Sequence, residues 1–483
     1  MSGRRLLLRC LPQLWAQETS RTQTTCKFHQ ALLAGRTGRN CTPHRTICAS
    51  SALGKSAETE VACPPQLDIP DYEAEWRFKG LETDFPCLSR SPQAGPEPEY
   101  HKIVSGYQTF HYQQPFALKY NDGVLPELSV AYETWGELNS DRSNVVLLFT
   151  GLSSSSHARS HEDNLTPGWW EKFIGPGRAI DTSKFFVVCC NHIGGCYGTT
   201  GPSSINPVTG KPYGTTFPLV SVEDMVHAQF LLMDYLGVDK LHASVGSSLG
   251  GMCSLLSAAL YPDRVRRVIS ISACAQTYAS SIALRFLQRR AIMTDPNWQR
   301  GHYYGDSYPK MGMKLAREIA TITYRSGPEW KERFGRKLID EDEPPSLCPS
   351  FEIEAYIMHQ GEAFCNKYDP NSLLYISKAM DMFDMGEGFD SLQEGISRVR
   401  CPVMVLGAQT DLLIPIWQQR EMVDLLKASG NDAIAFYEIN SIYGHDTFLL
   451  DLSSVGGAVK GQLETEMQET GLVRKSKPSW LKK

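Results

Sequence analysis

The chain has 483 residues, 42% hydrophobic and 21% charged, with a net charge of −5, enough apolar material for one large core plus an insertion or small second domain. That mildly acidic balance gives no electrostatic reason to expect nucleic acid or a membrane surface as partner, and no run approaches the roughly 18 apolar residues a bilayer span needs. The fourteen cysteines include no C-x-x-C pair and no histidine spacing suited to zinc, so reduced thiols and no metal are expected.

Residues 1–55 hold seven arginines (Arg4, Arg5, Arg9, Arg21, Arg36, Arg39 and Arg45) against the single acid Glu18, amid many Ser, Thr, Leu and Ala. That is the composition of a mitochondrial transit peptide, with a basic disordered tail as the alternative. Leu6-Leu7-Leu8 is cut short by Arg9, so no secretory apolar core stands out. Residues 56–100, with Pro92, Pro96 and Pro98, read as a disordered linker.

The folded domain is expected from His101, its first part spanning 101–272. Residues 128–133, 144–149 and 185–190 read as strands, and Cys189-Cys190 as core filling. An amphipathic helix at 222–236 leads to a strand at 241–245, then Gly246-Ser247-Ser248-Leu249-Gly250, a helix at 252–260 and a strand at 267–272. Buried strands alternating with helices predict a mostly parallel, doubly wound α/β sheet. From 273 to 399 the pattern changes to successive helices broken at Asp295-Pro296 and Gly327-Pro328, a helical insertion expected to lie as a lid over Ser248. Residues 400–483 return to the core and end in a tail. The strand at 403–408 ends in Gln409-Thr410-Asp411, and the strand at 436–439 is followed by Gly444-His445-Asp446.

G-x-S-x-G between a strand and a helix is the pattern of a nucleophile elbow. Small flanking residues permit a sharp turn that strains the serine backbone and presents its hydroxyl at a helix N-terminus. Free backbone N–H groups there favour an oxyanion. Such a serine needs a base to take its proton and a carboxylate to orient that base. Asp411 and His445, each on the loop after a strand, follow Ser248 in the order acid, then histidine, of the α/β-hydrolase fold. Asp411 could instead be a helix cap, and the rival acids Asp381 and Asp384 have no strand before them.

Further motifs carry a resemblance. Phe149-Thr150-Gly151-Leu152-Ser153, Gly168-Trp169-Trp170, Asn191-His192-Ile193-Gly194-Gly195-Cys196-Tyr197-Gly198, Asn206-Pro207, Gly210-Lys211-Pro212-Tyr213-Gly214, Leu315-Ala316-Arg317, Ile322-Thr323-Tyr324-Arg325-Ser326, Tyr368-Asp369-Pro370-Asn371 and Gly444-His445-Asp446 resemble the signature of the homoserine O-acetyltransferase family of α/β-hydrolases, across roughly residues 100–450. The resemblance implies acyl transfer from an acyl-CoA co-substrate, with no bound cofactor, through an acyl-Ser248 intermediate to the hydroxyl of a small amino acid, in a homodimer. It also implies oxyanion donors at the N–H groups of Leu249 and of the Gly151-Leu152 turn. Arg317 would hold the amino acid's carboxylate and Asp446 its ammonium, pairings their charges suit.

Acetyltransferases of the family carry asparagine where this chain has Arg285. A buried arginine is costly beside a methyl group but matches the distal carboxylate of a succinyl group. The turn Leu152-Ser153-Ser154-Ser155 departs from the homoserine pattern and resembles that of serine O-succinyltransferases. The expectation is succinyl transfer from succinyl-CoA to L-serine, supplying cysteine synthesis. The alternatives are L-homoserine or L-serine O-acetylation, and a serine esterase using water.

Overall fold

The computed structural model describes residues 97–465 apart from 306, 344–346 and 348. The transit-peptide stretch 1–55, nearly all of the linker 56–100 and the end of the tail at 466–483 lie outside the described residues. Ten strands occur in the described chain: β1 (Gln108–Tyr112), β2 (Phe116–Ala117), β3 (Val124–Leu125), β4 (Leu128–Trp135), β5 (Val145–Phe149), β6 (Phe186–Cys190), β7 (Ala243–Ser247), β8 (Val268–Ile271), β9 (Val403–Ala408) and β10 (Ile434–Ile439). Eight of them form one sheet in the order β1-β4-β6-β5-β7-β8-β9-β10, antiparallel at β1-β4-β6 and parallel from β6 to β10. β2 and β3 make a separate short hairpin.

The central strands are buried on both faces because helices cover both, so they read as unbroken apolar runs. Along β5, Val145, Leu147 and Phe149 enter one core with Met225 and Leu255, while Val146 and Leu148 enter the opposite core with Trp170 and Ile180. The period of two in a pleated strand divides the residues in this way. Helix Val222–Tyr235 starts at a capping box between Ser221 and Asp224. Cys189 and Cys190 are fully buried free thiols.

Between β8 and β9 lie helices Ala279–Thr294, Lys310–Tyr324, Gly327–Arg333, Glu352–Cys365, Pro370–Asp381 and Leu392–Ile396. A third cluster, including Tyr197, Tyr303, Met313, Phe364 and Tyr368, joins this insertion to the body. At its centre the fully buried Asp369 caps helix Pro370–Asp381, accepting from the Ser372 N–H at 2.7 Å and from the Tyr303 hydroxyl.

Candidate active site

Parallel strands place their carboxyl ends along one edge of the sheet, the edge where open α/β folds gather function. Ser248 follows β7, Asp411 follows β9 and His445 follows β10, all on that edge. Ser248 sits at φ 57°, ψ −122°, ahead of helix Leu249–Leu260. An L-residue is strained there, and packing on both sides holds it. A Cβ at Gly246 would stand 2.1 Å from the Gly250 carbonyl oxygen, and one at Gly250 2.2 Å from that of Phe149. Both glycines are therefore fixed by contact with the backbone. Ser254 and Ser257 tie the helix to β7 by bonds of 2.8 and 2.9 Å to the Ser244 carbonyl and hydroxyl.

Asp411 and His445 meet through a 2.6 Å Nδ1–Oδ2 contact, both side chains almost wholly buried. The other Asp411 oxygen accepts the N–H groups of Leu413 and Ile414, each at 2.9 Å, so the carboxylate cannot turn away. With Nδ1–H committed to Asp411, neutral His445 carries its lone pair on Nε2, which is buried with no hydrogen-bond partner among the described residues, Ser248 included. Burial alone would lower the His445 pKa, but the charge and hydrogen bond of Asp411 more than reverse this and raise it above the ordinary value. Gly444, at φ 60°, precedes the histidine where a Cβ would come within 2.9 Å of the Tyr324 carbonyl oxygen. That close passage sets the end of helix Lys310–Tyr324 against the histidine loop.

Leu249 opens its helix, so its N–H has no intrahelical carbonyl to bond. Across the site, the Leu152 carbonyl accepts the Tyr368 hydroxyl at 3.0 Å, fixing one end of the turn. Ser153 and Ser154 are partly buried in that turn and Ser155 is buried, its carbonyl accepting the Trp169 indole N–H at 3.0 Å. Just beyond, Glu133 accepts from Ser156 Oγ, His157 Nδ1 and His161 Nε2, each at 2.7 Å. Glu133, His157 and His161 group as metal ligands could, yet the hydrogen bonds account for the arrangement.

The Arg317 guanidinium lies over the rings of Phe364 and Tyr324, at 4.4 and 4.8 Å from their centroids, with its Nε buried and without a hydrogen-bond partner among the described residues. Asp446, which the sequence reading leaves free for an ammonium, instead has Arg325 Nε 3.3 Å away. Burial raises its pKa, with Arg325, His445 and Arg317 opposing. Arg325, within the Ile322-Thr323-Tyr324-Arg325-Ser326 motif, reaches Asp446 because Gly444 passes close to the Tyr324 and Arg325 backbone, a contact that the sequence does not signal. Arg285 is buried, and its Nε donates to Asp381 Oδ1 at 2.6 Å. Asp381 was set aside as a rival acid. An acid on the last residue of a helix, where the macrodipole disfavours it, was the sign of a cationic partner.

Comparison with known proteins finds relatives that share the fold. A family model described as alpha/beta hydrolase fold matches residues 144–452. A serine O-succinyltransferase of Emericella nidulans is 44% identical over 84% of this chain and 95% of its own length. A homoserine O-acetyltransferase of Moorella thermoacetica is also 44% identical, over 70% of this chain and 90% of its own. The crystal structure of homoserine O-acetyltransferase from Bacillus anthracis superposes with a TM-score of 0.70 at 31% identity, over 75% of this chain and 98% of that one.

Proposed function

This chain belongs to the α/β-hydrolase-fold family, within it to the group of homoserine O-acetyltransferases and serine O-succinyltransferases, and from that membership we propose that it is a serine O-succinyltransferase. Ser248 attacks the thioester carbonyl of succinyl-CoA while His445 Nε2 takes its proton. The C–S bond breaks, and the coenzyme thiolate leaves with the proton returned by His445. The side-chain hydroxyl of L-serine then gives its proton to His445 and attacks the acyl-enzyme, forming O-succinyl-L-serine. Ser248 departs with the proton. Oxyanions in both steps lie between the N–H groups of Leu249 and Leu152. Arg317 receives the amino acid's carboxylate, Asp446 its ammonium, and the turn at Leu152, Ser153, Ser154 and Ser155 sets the size of the acceptor. Arg285 receives the distal carboxylate of the acyl group.

The observation that carries succinyl over acetyl is Arg285, a buried cation with both terminal nitrogens lacking hydrogen-bond partners among the described residues. Asp381 pairs with the stem nitrogen alone, and two buried terminal donors left unsatisfied are too costly to surround an acetyl methyl. The helices at 273–399 serve as the lid, the chain pairs as a homodimer, and the arginine-rich residues 1–55 direct it to mitochondria, near succinyl-CoA. Import of a reporter fused to residues 1–55 tests the last of these. Among the described residues no helix is long and apolar enough to cross a membrane.

The test is a two-by-two assay of acetyl-CoA or succinyl-CoA against L-serine or L-homoserine. Succinyl-CoA with L-serine should give the highest kcat/KM, and acyl-CoA consumption without an amino acid would mark an esterase instead. Ser248→Ala should abolish the covalent acyl adduct seen by intact-protein mass spectrometry. A surviving adduct would move the nucleophile elsewhere.

A further inference from the structure

Helix Ala279–Thr294 turns Arg285, Gln288, Arg289 and Ile292 inward on one face, toward the end of helix Pro370–Asp381. Two arginines there share one carboxylate. Arg285 Nε meets Asp381 Oδ1 at 2.6 Å, and Arg289 Nη2 meets Asp381 Oδ2 at 2.5 Å, with side-chain exposures of 3%, 10% and 2% for Arg285, Arg289 and Asp381. Arg289 is held a second time by Nη1 on Ser377 Oγ at 3.3 Å. The three side chains together carry one uncompensated positive charge in a buried place. The charge of Arg285 also acts on His445, which sets the cluster within electrostatic reach of the proposed base.

The arrangement departs from the ordinary habit of arginine. A lone arginine and carboxylate favour two parallel hydrogen bonds, which here would engage Nε and one terminal nitrogen of Arg285. Asp381 instead gives Arg285 a single oxygen, while its other oxygen is ion-paired with Arg289 Nη2 and accepts no hydrogen bond among the described residues. The result is a guanidinium gripped by its stem nitrogen, with Nη1 and Nη2 buried and without hydrogen-bond partners among the described residues. Those two nitrogens form the edge that a carboxylate engages in a second fork.

We propose that Asp381 and Arg289 are positioning residues for the acyl donor: Asp381 fixes the guanidinium of Arg285, and Arg289, by holding the second Asp381 oxygen, prevents internal pairing from consuming the edge reserved for the terminal carboxylate of a dicarboxylic acyl thioester. The inference rests on the reading of Arg285 as the acyl-carboxylate receptor. It adds the specific point that selectivity depends on a residue that does not touch the substrate. Removing Arg289 should harm succinyl-CoA binding by freeing Asp381 to close on Arg285.

Steady-state kinetics of the full chain with succinyl-CoA and acetyl-CoA test this in Arg285→Asn, Asp381→Asn, Arg289→Met and Arg289→Lys. Arg289→Met and Asp381→Asn should each raise KM for succinyl-CoA about tenfold or more, the scale of one charge-assisted hydrogen bond, with a smaller change in kcat. Arg289→Lys, which keeps a cation beside Oδ2, should stay within about threefold of the parent chain. Misfolded enzyme lowers the rate with both donors together and leaves KM and the donor ratio in place, so a merely structural role would read differently. Parent-like KM in both Asp381→Asn and Arg289→Met would overturn the inference, and if Arg289→Met does not fold, Asp381→Asn decides alone. Arg285→Asn distinguishes the two levels. Its failure to move preference toward acetyl-CoA would overturn the receptor reading itself, whereas a shift there with none in the other two would overturn only the clamp.

Discussion

At the scale of single residues, the Asp411–His445 pair sets both proton affinity and geometry. The carboxylate keeps the proton on Nδ1 and raises the imidazole pKa, so the acid limb of kcat/KM should lie above the ordinary histidine value near 6.5. Asp411→Asn removes the charge and leaves the shape. It should cost roughly a thousandfold or more in kcat and move the acid limb to lower pH, because burial then acts on the imidazole without its counter-charge. An acid limb that stays in place would separate Asp411 from His445 function. Both residues were legible in the sequence because each lies on the loop that follows a strand-like run, in the order acid, then histidine. Asp381 was not, since its meaning depends on Arg285, 96 positions away on another helix. Arg325 was obscured in the same way by a contact that only the folded chain reveals.

At the scale of elements, the strand-turn-helix around Ser248 is built on backbone contact. Gly250→Ala would press a methyl group into the Phe149 carbonyl, where no flexible side chain can yield. It should lower stability by at least about 1–3 kcal/mol and reduce labelling of Ser248 by a fluorophosphonate. Gly457 lies in helix Ser454–Glu464 with open space around its missing Cβ. Gly457→Ala should instead raise stability by about 0.5–1 kcal/mol, and melting curves of the two variants should move in opposite directions. Seven of the strands were readable from the sequence, five of them (β5 to β9) because burial on both faces leaves largely apolar runs. β1 was not, since only Phe110 among its five residues is buried. The two-residue strands β2 and β3 are too short for any period to show.

At the scale of the whole molecule, Glu133 on β4 ties the sheet to the chain segment that carries Leu152. His157 has an acceptor at each ring nitrogen, Glu133 at 2.7 Å and the Thr166 carbonyl at 2.6 Å, so satisfying both requires the doubly protonated ring. Burial opposes that charge, but the hydrogen bonds to Glu133 and Thr166 prevail and raise the His157 pKa. A raised folded-state value means the stabilisation is complete below the unfolded-state pKa near 6.5 and fades as pH climbs through the folded-state value. The gap in melting temperature between the parent chain and His157→Gln should therefore be widest below about pH 6.5 and narrow on the alkaline side. A gap that widens with pH would reverse the assignment.

The order of the strands has an effect in time as well as in space. Ser248 leaves the ribosome long before β9 and β10, which bring Asp411 and His445, and until then β8 keeps an open edge that β9 alone is built to cover. On the proposed reading, a half-made polypeptide would hold the nucleophile without the base and acid that activate it. Acyl transfer by the proposed triad would begin only once β9 and β10 have emerged and joined the sheet, a delay that comes from strand order alone.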